Sequence, residues 1–240
     1  MYFNVKKGLD QLFLAQILEI VVAVCGLLIS VVGWFAVVAW FIGGSVLATL
    51  LTVLTVIVAI GFFGGTIAAF VLGLLGILDA KKDEISYNNA LVWLCAGIVA
   101  SLIIGIFDVF VKTNGFFFGL IRVLFGAASI FADFMVMYSV INSTVNVANA
   151  IGNIEVVNIG TARAQNFKIF CVVSIVLNIL SVLRYAQIHV FPMNFFDKLL
   201  IGIFGVLRFI GGVSSLAAAV VGLVIFFQYL GFLSKARNMV

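Results

Sequence analysis

The sequence is short of everything that clothes a water-soluble surface. Only 9% of its 240 residues are charged while 65% are hydrophobic, and a soluble domain carries about 25% charged residues. Proline is nearly absent, Pro192 being the single one, so little interrupts a helix. One histidine, His189, excludes histidine-rich metal centres. Cys25, Cys95 and Cys171 are dispersed among apolar runs, which argues against both a disulfide framework and a zinc site. No metal and no cofactor is expected.

What the chain does have is length of apolar sequence. From residue 12 to residue 78 the only charge is Glu19, and one membrane crossing needs about 20 apolar residues. That stretch must cross at least twice. A membrane β-barrel would show short alternating strands, whereas the apolar residues here are continuous. The fold class is therefore all-α, a polytopic integral membrane helical bundle. Cutting at charged and polar clusters gives six transmembrane helices, near 9–32, 45–78, 89–109, 116–140, 167–183 and 199–230, in a single membrane domain over 1–240. The second would extend about 51 Å as a straight helix, against a hydrocarbon thickness of about 30 Å. It must tilt, bend near Gly61, Gly64 and Gly65, or divide into two segments. Lys6 and Lys7 precede the first run as in a signal peptide, but Asp10, Gln11, Gln16 and Glu19 interrupt it and no small-x-small cleavage site follows. A retained first helix is expected.

Orientation follows from the basic residues, which favour the cytoplasmic ends of spans. With the N-terminus inside, six crossings leave Lys6, Lys7, Lys81, Lys82, Arg163, Lys168, Lys235 and Arg237 on the cytoplasmic side, and Lys112, Arg184 and Lys198 outside. Splitting 45–78 into two crossings would reverse everything after Lys81. The reading is a multi-pass protein of the cell membrane with both termini cytoplasmic. Tyr87, Trp93, Tyr138 and Tyr229 then mark inner interfaces, and Trp34, Trp40 and Tyr185 outer ones. Residues 33–44 are expected as an apolar outer turn or interfacial segment.

Three hairpins of similar size, 1–85, 86–165 and 166–240, suggest a tandem arrangement. One long polar connection, 139–165, holds Asn142, Asn146, Asn149 and Asn153 at helical spacing. It reads as a cytoplasmic helical extension over 141–165, either a solvated face or a docking surface. The 13 Lys and Arg residues produce a net charge of +4, yet they are scattered in ones and twos and form no basic face. Nucleic acid is not an expected partner.

Small residues recur at four-residue spacing, a pattern that lets helix backbones approach closely in lipid. They are Gly61, Gly65, Ala69 and Gly73 in the second span, Gly97, Ser101 and Gly105 in the third, and Gly211, Ser215 and Ala219 in the sixth. Either packing within one bundle or an oligomer face fits. Charges at membrane depth cost a few kcal/mol each on insertion scales and face a partner or a water-filled cavity. By depth, Glu19 on the first helix matches Arg208 on the sixth. Asp108 and Lys112 stand one turn apart with Arg122 at a similar level. Asp133 lies about 10 Å from the inner end of the fourth helix, within reach of an extended Lys168.

Enzyme chemistry has little to work with. Ser214 in Gly212-Val213-Ser214 hints at a serine nucleophile, but it lies about 22 Å deeper than the outer turn that carries His189. The expectation is no enzyme. In size and span count the chain is similar to the substrate-binding subunits of energy-coupling-factor vitamin transporters, a likeness that rests on no particular residue. Two readings follow: a small-solute transporter or substrate-binding permease subunit, or a non-catalytic membrane scaffold or partner subunit. A transporter should hold Glu19, Arg208 or Asp133 in a polar cavity. A scaffold should be packed solid, with its partners the lipid bilayer, a second copy or another membrane subunit.

Overall fold

A computed structural model describes residues 2–110, 116–181, 183 and 195–239, without the side chains of 107–110, 116–119, 195–204 and 208. These residues are helical throughout apart from short turns, and among them six helices are long and apolar enough to cross a membrane. They form two compact units, one ending at Asp83 and the other spanning Glu84–Met239.

The first unit is a hairpin of α1 (Phe3–Phe41) and α2 (Ser45–Asp83), 39 residues each. Each helix is about 58 Å long, more than the 40–45 Å of a bilayer with its headgroups. The expected outer segment 33–44 is mostly helix, because its apolar residues give lipid-facing backbone no reason to leave the helical ladder. Only 42–44 turn. There Gly43 takes φ +82°, and the Gly44 and Gly43 N–H groups donate back to the Ala39 and Trp40 carbonyls. This is a Schellman stop, in which glycine occupies the left-handed position without a Cβ penalty. The α2 helix is likewise unbroken across Gly61, Gly64 and Gly65.

Small residues set the hairpin seam. A Cβ on Gly8 would meet the Gly76 carbonyl and lie 2.9 Å from the Ala80 Cβ, and one on Gly76 would lie 2.8 Å from the Gly8 carbonyl oxygen. Here the two backbones touch. Ala69 and Ala80 are buried, and Gly65 faces Val22. The charged end is tied separately. The Asp83 carboxylate accepts from the N–H groups of Asn4 (2.6 Å) and Val5 (3.1 Å) and from the Asn4 amide (2.7 Å). It thereby caps α1, whose own N-cap residue has no side-chain bond. One turn earlier, the buried Asp79 pairs with Lys7 at 2.9 Å and with Lys82.

The second unit opens with a 3-10 turn (Ile85–Tyr87), followed by α3 (Asn88–Phe110), α4 (Phe116–Ala150), α5 (Ile154–Ser181) and α6 (Phe195–Ala236). These helices pack in chain order, each antiparallel to the next, and α4 also touches α6. The polar stretch expected as one extension over 141–165 is divided: α4 runs to Ala150, residues 151–153 turn, and α5 begins at Ile154. Gly152 takes φ +76°, and the Asn153 and Gly152 N–H groups donate to the Ala148 and Asn149 carbonyls. The stop is the same as at Gly43. Asn153 then caps α5 through its side chain, which accepts from the Val156 N–H at 3.2 Å.

The core of this unit lies at its basic end. Tyr87, Ile141, Phe167, Phe232 and Leu233 are fully buried there, and Phe167 sits between the rings of Phe134 and Tyr229, 6.4 Å from each. Gly160 leaves the space that Val145 and Phe232 fill. The Thr144 hydroxyl donates to the Val140 carbonyl at 2.7 Å. Its single proton is thus committed, so the buried Tyr87 hydroxyl donates to Thr144 Oγ1, also at 2.7 Å.

Candidate functional site: a polar patch on α3 and α4

Two pairs of residues one helical turn apart meet where α3 and α4 cross the middle of their apolar stretches. On α3 they are Gly97 and Ser101; on α4, Ser129 and Asp133. The antiparallel register sets Gly97 beside Ala132 and Asp133, and Ser101 beside Ser129. The two serine hydroxyls are bonded at 3.0 Å. Gly97 and the carboxylate are neighbours, since a Cβ on Gly97 would make ordinary contact with Asp133 Oδ1 at 3.5 Å.

Asp133 and Ser101 are both exposed, and among the described residues Asp133 has neither a hydrogen bond nor an ion pair. Lys168, expected beside it, is elsewhere: its ammonium lies 5.3 Å from the centre of the Tyr138 ring. Asp133 is about 10 Å inside the apolar stretch of α4 and the serines are deeper. An open carboxylate at that depth costs about 2.5–3.5 kcal/mol on insertion scales. Among the described residues the patch is an acceptor without a donor.

The other expected residues are placed as follows. Glu19 is exposed on α1 in the first unit, while the side chain of Arg208, in the second, lies outside the described residues. So do Asp108, Lys112 and His189. Arg122 is half-buried on α4. Gly73 faces Ala15, Gly211 is buried and Ser215 half-buried, whereas Gly61 and Gly105 face open space and Ala219 is exposed. Ser129 was not singled out by sequence, although its spacing from Asp133 matches that of Gly97 from Ser101.

Two clefts of this unit are largely apolar. One of about 280 Å³ lies between α4 and α5, and another, of about 400 Å³, between α3 and α4, is lined by residues including Cys95, Val99 and Phe125. Among the described residues no cluster of His, Cys, Asp or Glu could hold a metal ion. The fold defines a class, the multi-pass helical membrane proteins. Comparison with known protein families, characterised proteins and solved structures finds no match.

Proposed function

We propose that the chain is a non-catalytic partner subunit of a membrane assembly, and that the patch of Gly97, Ser101, Ser129 and Asp133 receives a helix of another polypeptide bearing a lysine, arginine or other donor at membrane depth. The observation that carries this reading is the exposed, unpartnered Asp133 carboxylate. In lipid it is a liability for an isolated chain and an anchor in a complex. The small residues beside it allow close helix approach. The tight α1–α2 seam and the ion pairs at the helix ends also suit a solid packing element. The distribution of lysine and arginine supports cytoplasmic termini in the cell membrane.

A small-solute transporter or substrate-binding permease subunit is the second reading. It is favoured by Asn178, whose side-chain oxygen is buried without a hydrogen bond close to Gly126. One variant separates the two. In the assembly reading, Asp133→Leu removes the lipid-exposed carboxylate and leaves the purified chain at least as stable as wild type, yet it abolishes recovery of the complex from native membranes in mild detergent. The assembly reading fails if Asp133→Leu leaves the complex intact, or if wild type is recovered alone. Thermal stabilisation of wild type by a small solute, absent in Asp133→Leu, would establish the transporter reading instead.

A further inference from the structure

We infer that the cleft between α4 and α5 holds an acyl chain of an anionic phospholipid, with the phosphate on Lys168. The cleft, about 280 Å³, is lined along its length by Phe131, Met135, Cys171 and Val172, and at its basic end by Tyr138 and Lys168. Its wall is apolar where a chain would lie and cationic where a headgroup would lie. Phe131 is about 10 Å deeper along α4 than Tyr138, so the cleft runs along the direction of a lipid tail.

The headgroup end is built rather than merely charged. Lys168 is exposed, and its ammonium rests 5.3 Å from the centre of the Tyr138 ring. Both this ammonium and the Asn142 amide stand beside the Tyr138 hydroxyl. A lysine held on an aromatic ring keeps donors free for a phosphate. Among the described residues no carboxylate forms a salt bridge with it. Charge complementarity therefore selects an anionic lipid over a zwitterionic one. A cation at the mouth of a groove between helices has the chemistry of a lipid-headgroup site.

Trp93 enters α3 near the inner interface, but its ring reaches the deep end of the cleft wall, packing edge-on against Phe131 with centroids 5.3 Å apart. The test uses the full chain with Trp34→Phe and Trp40→Phe, leaving Trp93 as the only tryptophan, in phosphatidylcholine vesicles. A small fraction of phosphatidylglycerol or phosphatidylcholine brominated at mid-chain is then added. Brominated phosphatidylglycerol should quench Trp93 as though enriched about five-fold over brominated phosphatidylcholine, the preference expected of one lysine. Lys168→Gln should remove the preference. So should Cys171→Phe, which fills the cleft and leaves the charge. Arg163→Gln, a basic residue outside the lining, should retain it. Equal quenching by the two lipids in wild type overturns the proposal. So does a preference that survives both Lys168→Gln and Cys171→Phe, or one that falls equally with Arg163→Gln, because either pattern is a general surface-charge effect.

Discussion

Replacing Gly76 by alanine tests whether the α1–α2 hairpin depends on backbone contact. The new methyl would lie 2.8 Å from the Gly8 carbonyl oxygen, 2.8 Å from Leu12 Cγ and 3.1 Å from the Leu12 nitrogen. Ordinary carbon contacts begin about 0.6 Å further out. Two of the three obstacles are backbone, so no rotamer change relieves them and the helices must part along the seam. Overpacking of this kind costs about 1–3 kcal/mol, and the backbone obstacles place Gly76→Ala toward the upper end. Alanine's higher helix propensity returns up to about 1 kcal/mol. The net expectation is a loss of about 1–2 kcal/mol. Gly61→Ala supplies the control, because nothing lies within 4 Å of its added Cβ, and it should be neutral or stabilising by up to about 1 kcal/mol. Unfolding of the two purified variants by denaturing detergent in mixed micelles measures the difference. Equal stability of Gly76→Ala and Gly61→Ala would refute the close seam.

The other predictions concern the charged end, the buried hydroxyl pair and the turns. Lys82, then Lys7, hold the Asp79 carboxyl below its usual range. Its contribution is therefore complete above about pH 4 and is lost as pH falls through its lowered folded value. Asp79→Asn should cost up to about 1 kcal/mol at pH 7, and the gap from wild type should close in acid unfolding curves. Thr144→Val strands the buried Tyr87 hydroxyl and should cost about 1–3 kcal/mol, whereas Tyr87→Phe leaves Thr144 bonded to Val140 and should cost about 1 kcal/mol; thermal denaturation orders the two. Gly43→Ala and Gly152→Ala each force a Cβ into left-handed backbone and should each cost about 1–2 kcal/mol, read from the same melts.

The helices were legible because apolar runs in lipid leave the backbone no alternative to internal hydrogen bonding. Their ends were harder to read. Residues 33–41 continue α1 although a span had already been completed, and nothing in their apolar side chains distinguishes lipid-facing helix from an interfacial turn. Residues 141–150 and 154–165 are helical although polar, because asparagines at helical spacing are compatible with a helix whether or not lipid surrounds it. The turns themselves carried a shared signature, Ile42-Gly43-Gly44 and Ile151-Gly152-Asn153, in which glycine takes the required φ without a Cβ penalty. Gly65, Ala69 and Gly73 announced part of the α1–α2 seam by their spacing. Gly8 did not, because it lies among charged residues where no small-residue stripe is visible. Asp133 stood out as a charge at depth, but its openness could be known only from where α3 and α5 pack.

The central claim, that Asp133 marks the contact with another membrane polypeptide, is tested most directly by photocrosslinking in native membranes. A photoreactive residue in place of Met137, one turn from Asp133 on α4, should yield one discrete protein adduct, and the same probe in an Asp133→Leu background should yield none. Lipid adducts alone, or a protein adduct unchanged by Asp133→Leu, would contradict it.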